Sequence, residues 1–452
     1  MKIKKVELEN FKFHQKLKFA IDKKNCLIYG ENGTGKSSIY EALNAIFTLY
    51  FRDSNFSLNK FKNYSSTEAL SAKVTFDNAD ELIIPKEDMP LMGGKKTIYF
   101  ANQDLLESII LNNNFYDTIK NSFKNIFPIL HNFRKNFEFI NSRIDSSNYQ
   151  EENTKRQDNI KNMERFLWRI ELRANDILNN HFEEKFTIKF EYDWGLSNTT
   201  DDFKYPNPKI ILNIDDKKFL KLNFNEAKLK LASIAIFFAL IKVEEDLTNP
   251  LKLLVLDDFL TSLDMANRHY IIEYIFDKFE KYQKIILTHN LQFYNLILSL
   301  LKSRDELNNW DNKNIFLQTI GTQKKAIIYD KETDYIKLAE SYLKVDKLDE
   351  AGIYLRKEFE RLIEELRQIN EVGVKEKLSK IVNQLIKLDD STDINILKMQ
   401  NILKRTKFYQ DTILHSTAHD DISNERYTKE LNGAIVILKQ LDKLVKSIGT
   451  NS

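Results

Sequence analysis

The segment Gly30-Glu31-Asn32-Gly33-Thr34-Gly35-Lys36-Ser37 follows an apolar run, Cys26-Leu27-Ile28-Tyr29. It precedes residues 37–50, in which Ile39, Leu43, Ile46 and Phe47 recur at helical spacing. Strand, glycine-rich turn and helix in that order match G-x-x-x-x-G-K-[ST] in the context the pattern requires. Glycines let backbone N–H groups turn inward around phosphate oxygens, and the start of a helix adds a favourable dipole. Gly30, Asn32, Gly33, Gly35, Lys36, Ser37 and Ser38 are therefore expected to cradle a nucleoside triphosphate. Lys36 is expected to neutralise the β- and γ-phosphates, and the Ser37 hydroxyl to hold Mg²⁺.

A second segment completes this site. Leu253-Leu254-Val255-Leu256-Asp257-Asp258 is an apolar strand ending in two carboxylates. Asp257 is placed to orient Mg²⁺, and Asp258 to polarise an attacking water. Between and around the two segments, short strand patterns at 73–76, 82–85, 97–100, 186–192, 209–214, 284–287, 315–319 and 325–329 alternate with helical ones at 226–245, 264–279 and 291–301. Such alternation predicts an α/β fold with a largely parallel sheet covered on both faces. Residues 104 to about 181 are helical and polar, and read as an insertion of two helices of about 30 residues, each reaching on the order of 45 Å. From about 333 onward only helical periodicity remains, with Ala351, Leu355, Phe359, Leu362, Ile363 and Leu366 on one stripe. A boundary near 330–334 divides a head, 1–332, from an all-α C-terminal domain, 333–452.

The chain has 452 residues, 30% charged and 42% apolar, ordinary for a globular protein. A net charge of +2 excludes a global field for nucleic acid, so such a surface has to be local. The single cysteine, Cys26, fits a reducing compartment. No signal peptide opens the sequence, and the longest apolar run, Ile234 to Ile241, is far short of the roughly 20 residues of a membrane span. A cytoplasmic protein with no membrane partner is expected.

Further residues carry a family resemblance. Thr261-Ser262-Leu263-Asp264 resembles the D-loop of ABC ATPases, and Ile285-Ile286-Leu287-Thr288-His289-Asn290 their switch-histidine strand. Gln103 falls where a Q-loop glutamine stands, and Leu8-Glu9-Asn10-Phe11-Lys12-Phe13-His14 resembles the first strand of SMC, RecF and related DNA-repair ATPases. The resemblance covers roughly residues 1 to 330. It implies an ABC-type ATP-hydrolysing head with an inserted helical hairpin, using ATP and Mg²⁺. It also implies a homodimer, or a higher even-numbered oligomer, whose heads sandwich ATP. In that setting His289 contacts the γ-phosphate, Gln103 contributes to the metal site, and Asp264 passes the state of one site to the other. The sequence departs from the family in two places. Leu222-Asn223-Phe224-Asn225-Glu226 stands where Leu-Ser-Gly-Gly-Glu/Gln is expected, leaving Asn223 as a γ-phosphate donor and Asn225 as a nucleotide contact or a helix cap. Asp258 stands where most ABC enzymes carry glutamate, which implies slow, switch-like hydrolysis.

Two nucleic-acid readings remain open. The lysine-rich residues 2–24, and Lys120, Lys124, Arg134, Lys135, Lys155 and Arg156 in the insertion, offer cations for phosphates or simply solvated faces. In the C-terminal domain, Arg356 and Glu360 with His415 and His419 resemble the HEPN-type ribonuclease of the anticodon nucleases PrrC and RloC. The same residues also read as an i, i+4 salt bridge and as a histidine pair for a metal. The resemblance implies a bacterial anti-phage defence ATPase that couples head closure to a toxic output. That output is either its own ribonuclease acting on tRNA or other RNA, or a separate effector protein docked on the helical domain. A RecF-like repair ATPase on duplex DNA is the competing reading.

Overall fold

A computed structural model describes residues 1–22, 24–53, 56–63, 66–85, 97–111, 114–124, 126–145, 147–195, 208–218, 220–246, 248–320, 323–330, 335–344, 348–370, 372, 378–388, 394–409 and 428–449. The chain divides into two compact units, Met1–Lys331 and Glu332–Ser452.

The first unit opens with β1 (Ile3–Phe11), β2 (His14–Ala20) and β3 (Asn25–Gly30), followed by α1 (Lys36–Phe51). Then come β4 (Ser71–Phe76), β5 (Glu81–Ile84) and β6 (Thr97–Asn102). Four helices follow: α2 (Gln103–Leu111), α3 (Phe115–Asn121), α4 (Pro128–Asn141) and α5 (Tyr149–His181). After them run β7 (Ile188–Asp193), β8 (Lys209–Ile214), α6 (Leu220–Asn223), α7 (Glu226–Glu244), β9 (Lys252–Asp257) and α8 (Met265–Lys278). The unit closes with β10 (Gln283–Thr288), α9 (Leu291–Ser303), β11 (Trp310–Ile320) and β12 (Gln323–Asp330).

Among the described residues, β12-β11-β3-β10-β9-β6 form one sheet, parallel except for β12, and β2-β1-β4-β5 form a second, antiparallel one. Strand residues alternate between two cores, as the two-residue period of a doubly covered sheet requires. Leu27, Leu254, Leu256 and Ile286 face the core shared with the helices that follow β6. Cys26, Ile28, Leu253, Val255, Ile285 and Leu287 face the core shared with α1 and the antiparallel sheet. Helix α7 is apolar all round, and every residue from Leu231 to Ile241 is buried.

The insertion differs from two thirty-residue helices. One helix, α5, has 33 residues, about 50 Å long. The other half is broken into α2, α3 and α4. Asn114 caps α3 by accepting from the Tyr116 N–H, and Pro128 starts α4 at the one position where its missing N–H costs nothing. Their apolar faces pack onto the head, through Phe115, Phe123, Phe127 and Phe137.

The second unit is helical: α10 (Tyr335–Leu343), α11 (Leu348–Ile369), α12 (Leu378–Ile386), α13 (Ile394–Tyr409) and α14 (Thr428–Gly449). The stripe Ala351, Leu355, Phe359, Leu362, Ile363 and Leu366 on α11 is fully buried at its centre. Phe359→Ala removes a ring with no exposed surface, which costs about 3–5 kcal/mol. Hydrogen exchange of the α11 amides should accelerate by roughly two to four orders of magnitude if they open with their unit. No described helix is long and apolar enough to cross a membrane.

Candidate nucleotide site

Register places the chemistry-bearing residues at the carboxyl ends of neighbouring parallel strands. Tyr29 of β3 pairs with Thr288 of β10, Leu287 of β10 with Asp257 of β9, and Asp257 with Asn102 of β6. The loops that leave these strands carry the phosphate turn, Asp258, His289 and Gln103. Open α/β sheets bind ligands at this edge.

In the phosphate turn, Gly35 has φ +91°, in the left-handed region. His14 sits beneath it, with Nε2 2.9 Å from the Gly35 carbonyl oxygen. A side chain at position 35 would bring its Cβ to 2.6 Å from the His14 ring. Burial pushes the His14 imidazole down to about 4, against the raising effect of its bond to Gly35, so the ring is neutral at pH 7. Gly35→Ala combines left-handed strain with this overlap, for about 2–5 kcal/mol of lost stability. Adding His14→Ala should recover the overlap part in thermal unfolding, while ATP affinity stays impaired in both variants. The sequence alone assigns His14 no role. A histidine three residues after the first strand's last apolar residue carries no local sign that it will lie under a turn 21 residues later.

Lys36 is 4% exposed, and its Nζ donates to the carbonyl oxygens of Gly30 (2.8 Å) and Glu31 (3.0 Å). Burial lowers its pKa, while Asp258 and Asp257 favour the charged form. The Ser37 hydroxyl hydrogen-bonds Asp257, whose Oδ1 is buried without a partner. Burial pushes the Asp257 carboxyl up to about 6, with the Ser37 bond opposing and Asp258 assisting. A hydroxyl beside a buried carboxylate with an orphaned oxygen is an all-oxygen donor set suited to Mg²⁺, completed by waters and phosphate.

Asp258 has φ +44°, an uncommon region for a residue with a side chain. Its Oδ1 accepts from the His289 backbone N–H at 2.9 Å. Its Oδ2 lies 2.8 Å from His289 Nδ1, close enough for attraction but out of line for a hydrogen bond. Gln103 Oε1 accepts from Thr261 Oγ1 at 3.0 Å, and Gln103 Nε2 donates to Glu107. The structure therefore ties Lys36, Ser37, Asp257, Asp258 and His289 into one cluster, and Gln103 to the loop after Asp258.

The profile described as the RecF/RecN/SMC N terminal domain matches residues 2–305. The chain belongs to the RecF/RecN/SMC N-terminal domain family. This SMC/RecF-type head is a nucleotide-binding ABC-type ATPase. The chain is similar to an SMC head bound to the C-terminal winged-helix domain of ScpA, at 15% identity over 74% of this chain and 99% of that one, with a TM-score of 0.41. It is similar to RecF with ATP, at 16% identity over 64% of this chain and 92% of that one, with a TM-score of 0.43. For the SMC head of Thermotoga maritima the values are 13%, 73%, 100% and 0.35. No curated protein matches the chain significantly.

The remaining sequence-derived residues fall elsewhere. Asn223 ends the four-residue α6, and Asn225 caps α7 by accepting from the Lys228 N–H at 2.9 Å. Asp264 caps α8 in the same way, through the Asn267 N–H. Among the described residues, no hydrogen bond or ion pair joins Asn225 or Asp264 to the phosphate turn. Arg356 Nε donates to Glu360 at 2.9 Å on an exposed face of α11. His415 and His419 lie outside the described residues. Among those described, no group of three or more His, Cys, Asp or Glu side chains is gathered to hold a metal.

Proposed function

We propose that the head is an ATP-driven switch in which two copies close face to face around Mg·ATP and reopen on slow hydrolysis. The observation that carries this reading is the buried Asp257 bonded to Ser37, with a free oxygen, beside the Lys36 ammonium. Gly30, Asn32, Gly33, Gly35, Lys36, Ser37 and Ser38 hold the phosphates; Ser37, Asp257 and Gln103 hold the metal; and Asp258 with His289 handles the attacking water and γ-phosphate. Asn223, Asn225 and Asp264 serve the partner's nucleotide.

Exposed apolar side chains support closure by a second copy. Leu222 is 86% exposed, Leu291 52% and Met265 37%, and each adjoins one of the segments assigned to the partner's nucleotide or the switch. An ATP-dependent interface between two heads would cover all three. Asp258→Asn should bind ATP normally but hydrolyse it at least about 100-fold more slowly. With Mg·ATP its light-scattering mass should double and stay doubled. A mass unchanged by any nucleotide would refute face-to-face closure.

The second unit is the output in this proposal. Its ribonuclease reading draws on Arg356, held by Glu360, together with His415 and His419. Its docking reading draws on the helical surfaces. Either serves a defence ATPase that answers nucleic acid or an invader's signal, and a RecF-like repair ATPase would use the same nucleotide site on duplex DNA.

A further inference from the structure

Helix α5 carries Lys161, Arg165, Arg169 and Arg173 four residues apart, all exposed. Spacing by four places them along one slanting ridge about 18 Å long. None of the four makes an ion pair with a described residue. Of the acids beside them on α5, Glu164 accepts from Trp194 Nε1, Glu171 from the Phe190 backbone N–H and Asp176 from Asn180 Nδ2, which leaves Asp158, one turn before Lys161, as the other nearby carboxylate. Like charges at i, i+4 weaken a helix, so the ridge works against its own fold. Trp168, one turn after Arg165, lies on the adjoining row of the helix surface and is 55% exposed, with Leu172 beyond it at 49%. A large ring left in water between arginines gains nothing for the core behind it.

The cations singled out from sequence behave differently. Arg134 and Arg156 are buried, with Arg156 donating to Asn141 and to the Trp194 carbonyl. Lys155 pairs with Glu151 and Glu152, and Lys124 pairs with Asp53. Lys124 and Arg156 join the insertion to the rest of the head, Arg134 and Lys155 pair within their own helices, and Lys120 and Lys135 stay exposed as isolated cations on separate helices. The α5 ridge is left available.

We propose that this ridge binds single-stranded nucleic acid, the guanidinium groups taking successive phosphates and Trp168 stacking on an unpaired base. Successive cations stand about 6 Å apart along the helix axis, so the ridge can meet a run of neighbouring phosphates on one strand. An exposed indole favours single strands, because paired bases offer no free face, whereas every unpaired base does. The inference rests on the reading of nucleic acid as the switch's signal, and it names the form and the place.

The test is fluorescence anisotropy of fluorescein-labelled oligo(dT) and oligo(U), about 20 nucleotides long, against a duplex of the same length, using the full chain. Arg165→Gln with Arg169→Gln should weaken single-strand binding on the order of tenfold and flatten the salt dependence by about 1.4 in log–log slope. Trp168→Ala should weaken it about tenfold with the slope unchanged. ATP binding should be intact in both variants, since none of the three residues touches the phosphate turn. Wild-type protein that binds no oligonucleotide, variants that bind like wild type, or duplex preferred with no effect of Trp168 would each overturn the proposal. If ATP binding failed while the oligonucleotide results held, the nucleotide reading alone would fall.

Discussion

Lys36→Ala should lower ATP affinity by about 100-fold or more and reduce hydrolysis to background. The ammonium is buried and already turned inward over the Gly30 and Glu31 carbonyl oxygens, so its charge is committed to this turn. A charge-assisted hydrogen bond contributes about 1.5–3 kcal/mol, and Lys36 reaches two phosphates. Loss of both contacts corresponds to roughly two to four orders of magnitude in binding. Calorimetric titration of ATP into wild-type and variant protein checks the affinity, and phosphate release checks turnover. Thermal unfolding should change little by comparison. Removal of Lys36 also removes a cation buried beside Asp257, and these effects on the metal-free protein oppose each other.

Asp257→Asn should separate function from stability. Hydrolysis is expected to vanish, because the amide supplies no negative charge to Mg²⁺. Metal-free protein should nevertheless become more stable at pH 8. The Asp257 carboxyl titrates near 6 when folded, above its ordinary value of 3.8. A raised carboxyl means that the folded state holds its proton longer than the unfolded chain does. Stability is therefore greatest below about pH 4, falls as pH rises from about 4 to 6, and stays reduced above that. Two units correspond to about 3 kcal/mol, an upper figure because the side chain can relax and admit water. The variant should lose this pH dependence, and its melting temperature at pH 8 should rise by several degrees. A melting temperature equal to wild type at both pH 5 and pH 8 would show that Asp257 carries no burial penalty. Mg·ATP should reverse the order, stabilising wild type and not the variant.

Much of the head was legible because its signals are local. The phosphate turn is specified by glycine and lysine at fixed spacing between a strand and a helix, and no distant residue can disguise that pattern. The strand ending at Asp257 shows itself by a continuous apolar run, since both of its faces are buried. The buried stripe of α11 likewise follows from period alone.

What escaped depends on distant partners. Whether a lysine is a ligand for phosphate or half of a structural pair is decided by what folds against it. Lys124 meets Asp53, which lies 71 residues earlier, and no window of sequence contains both. Conversely, Lys161, Arg165, Arg169 and Arg173 look like an ordinary solvated face until Glu164 and Glu171 prove to be engaged. Division of the insertion was readable in principle, because Asn114 and Pro128 are conventional helix-start residues. Helical period on both sides of those starts masked them. The role of His14 depends on a turn that wraps over it from beyond β3, a long-range packing fact.

In the proposed switch, the turn at Lys36 and the strand end at Asp257 grip one Mg·triphosphate. The most direct measurement is equilibrium binding of a fluorescent ATP analogue to the wild-type chain, with magnesium and with excess chelator. Saturable binding is expected, strengthened by magnesium and competed away by unlabelled ATP. Absence of binding under both conditions, or affinity indifferent to magnesium, would contradict it.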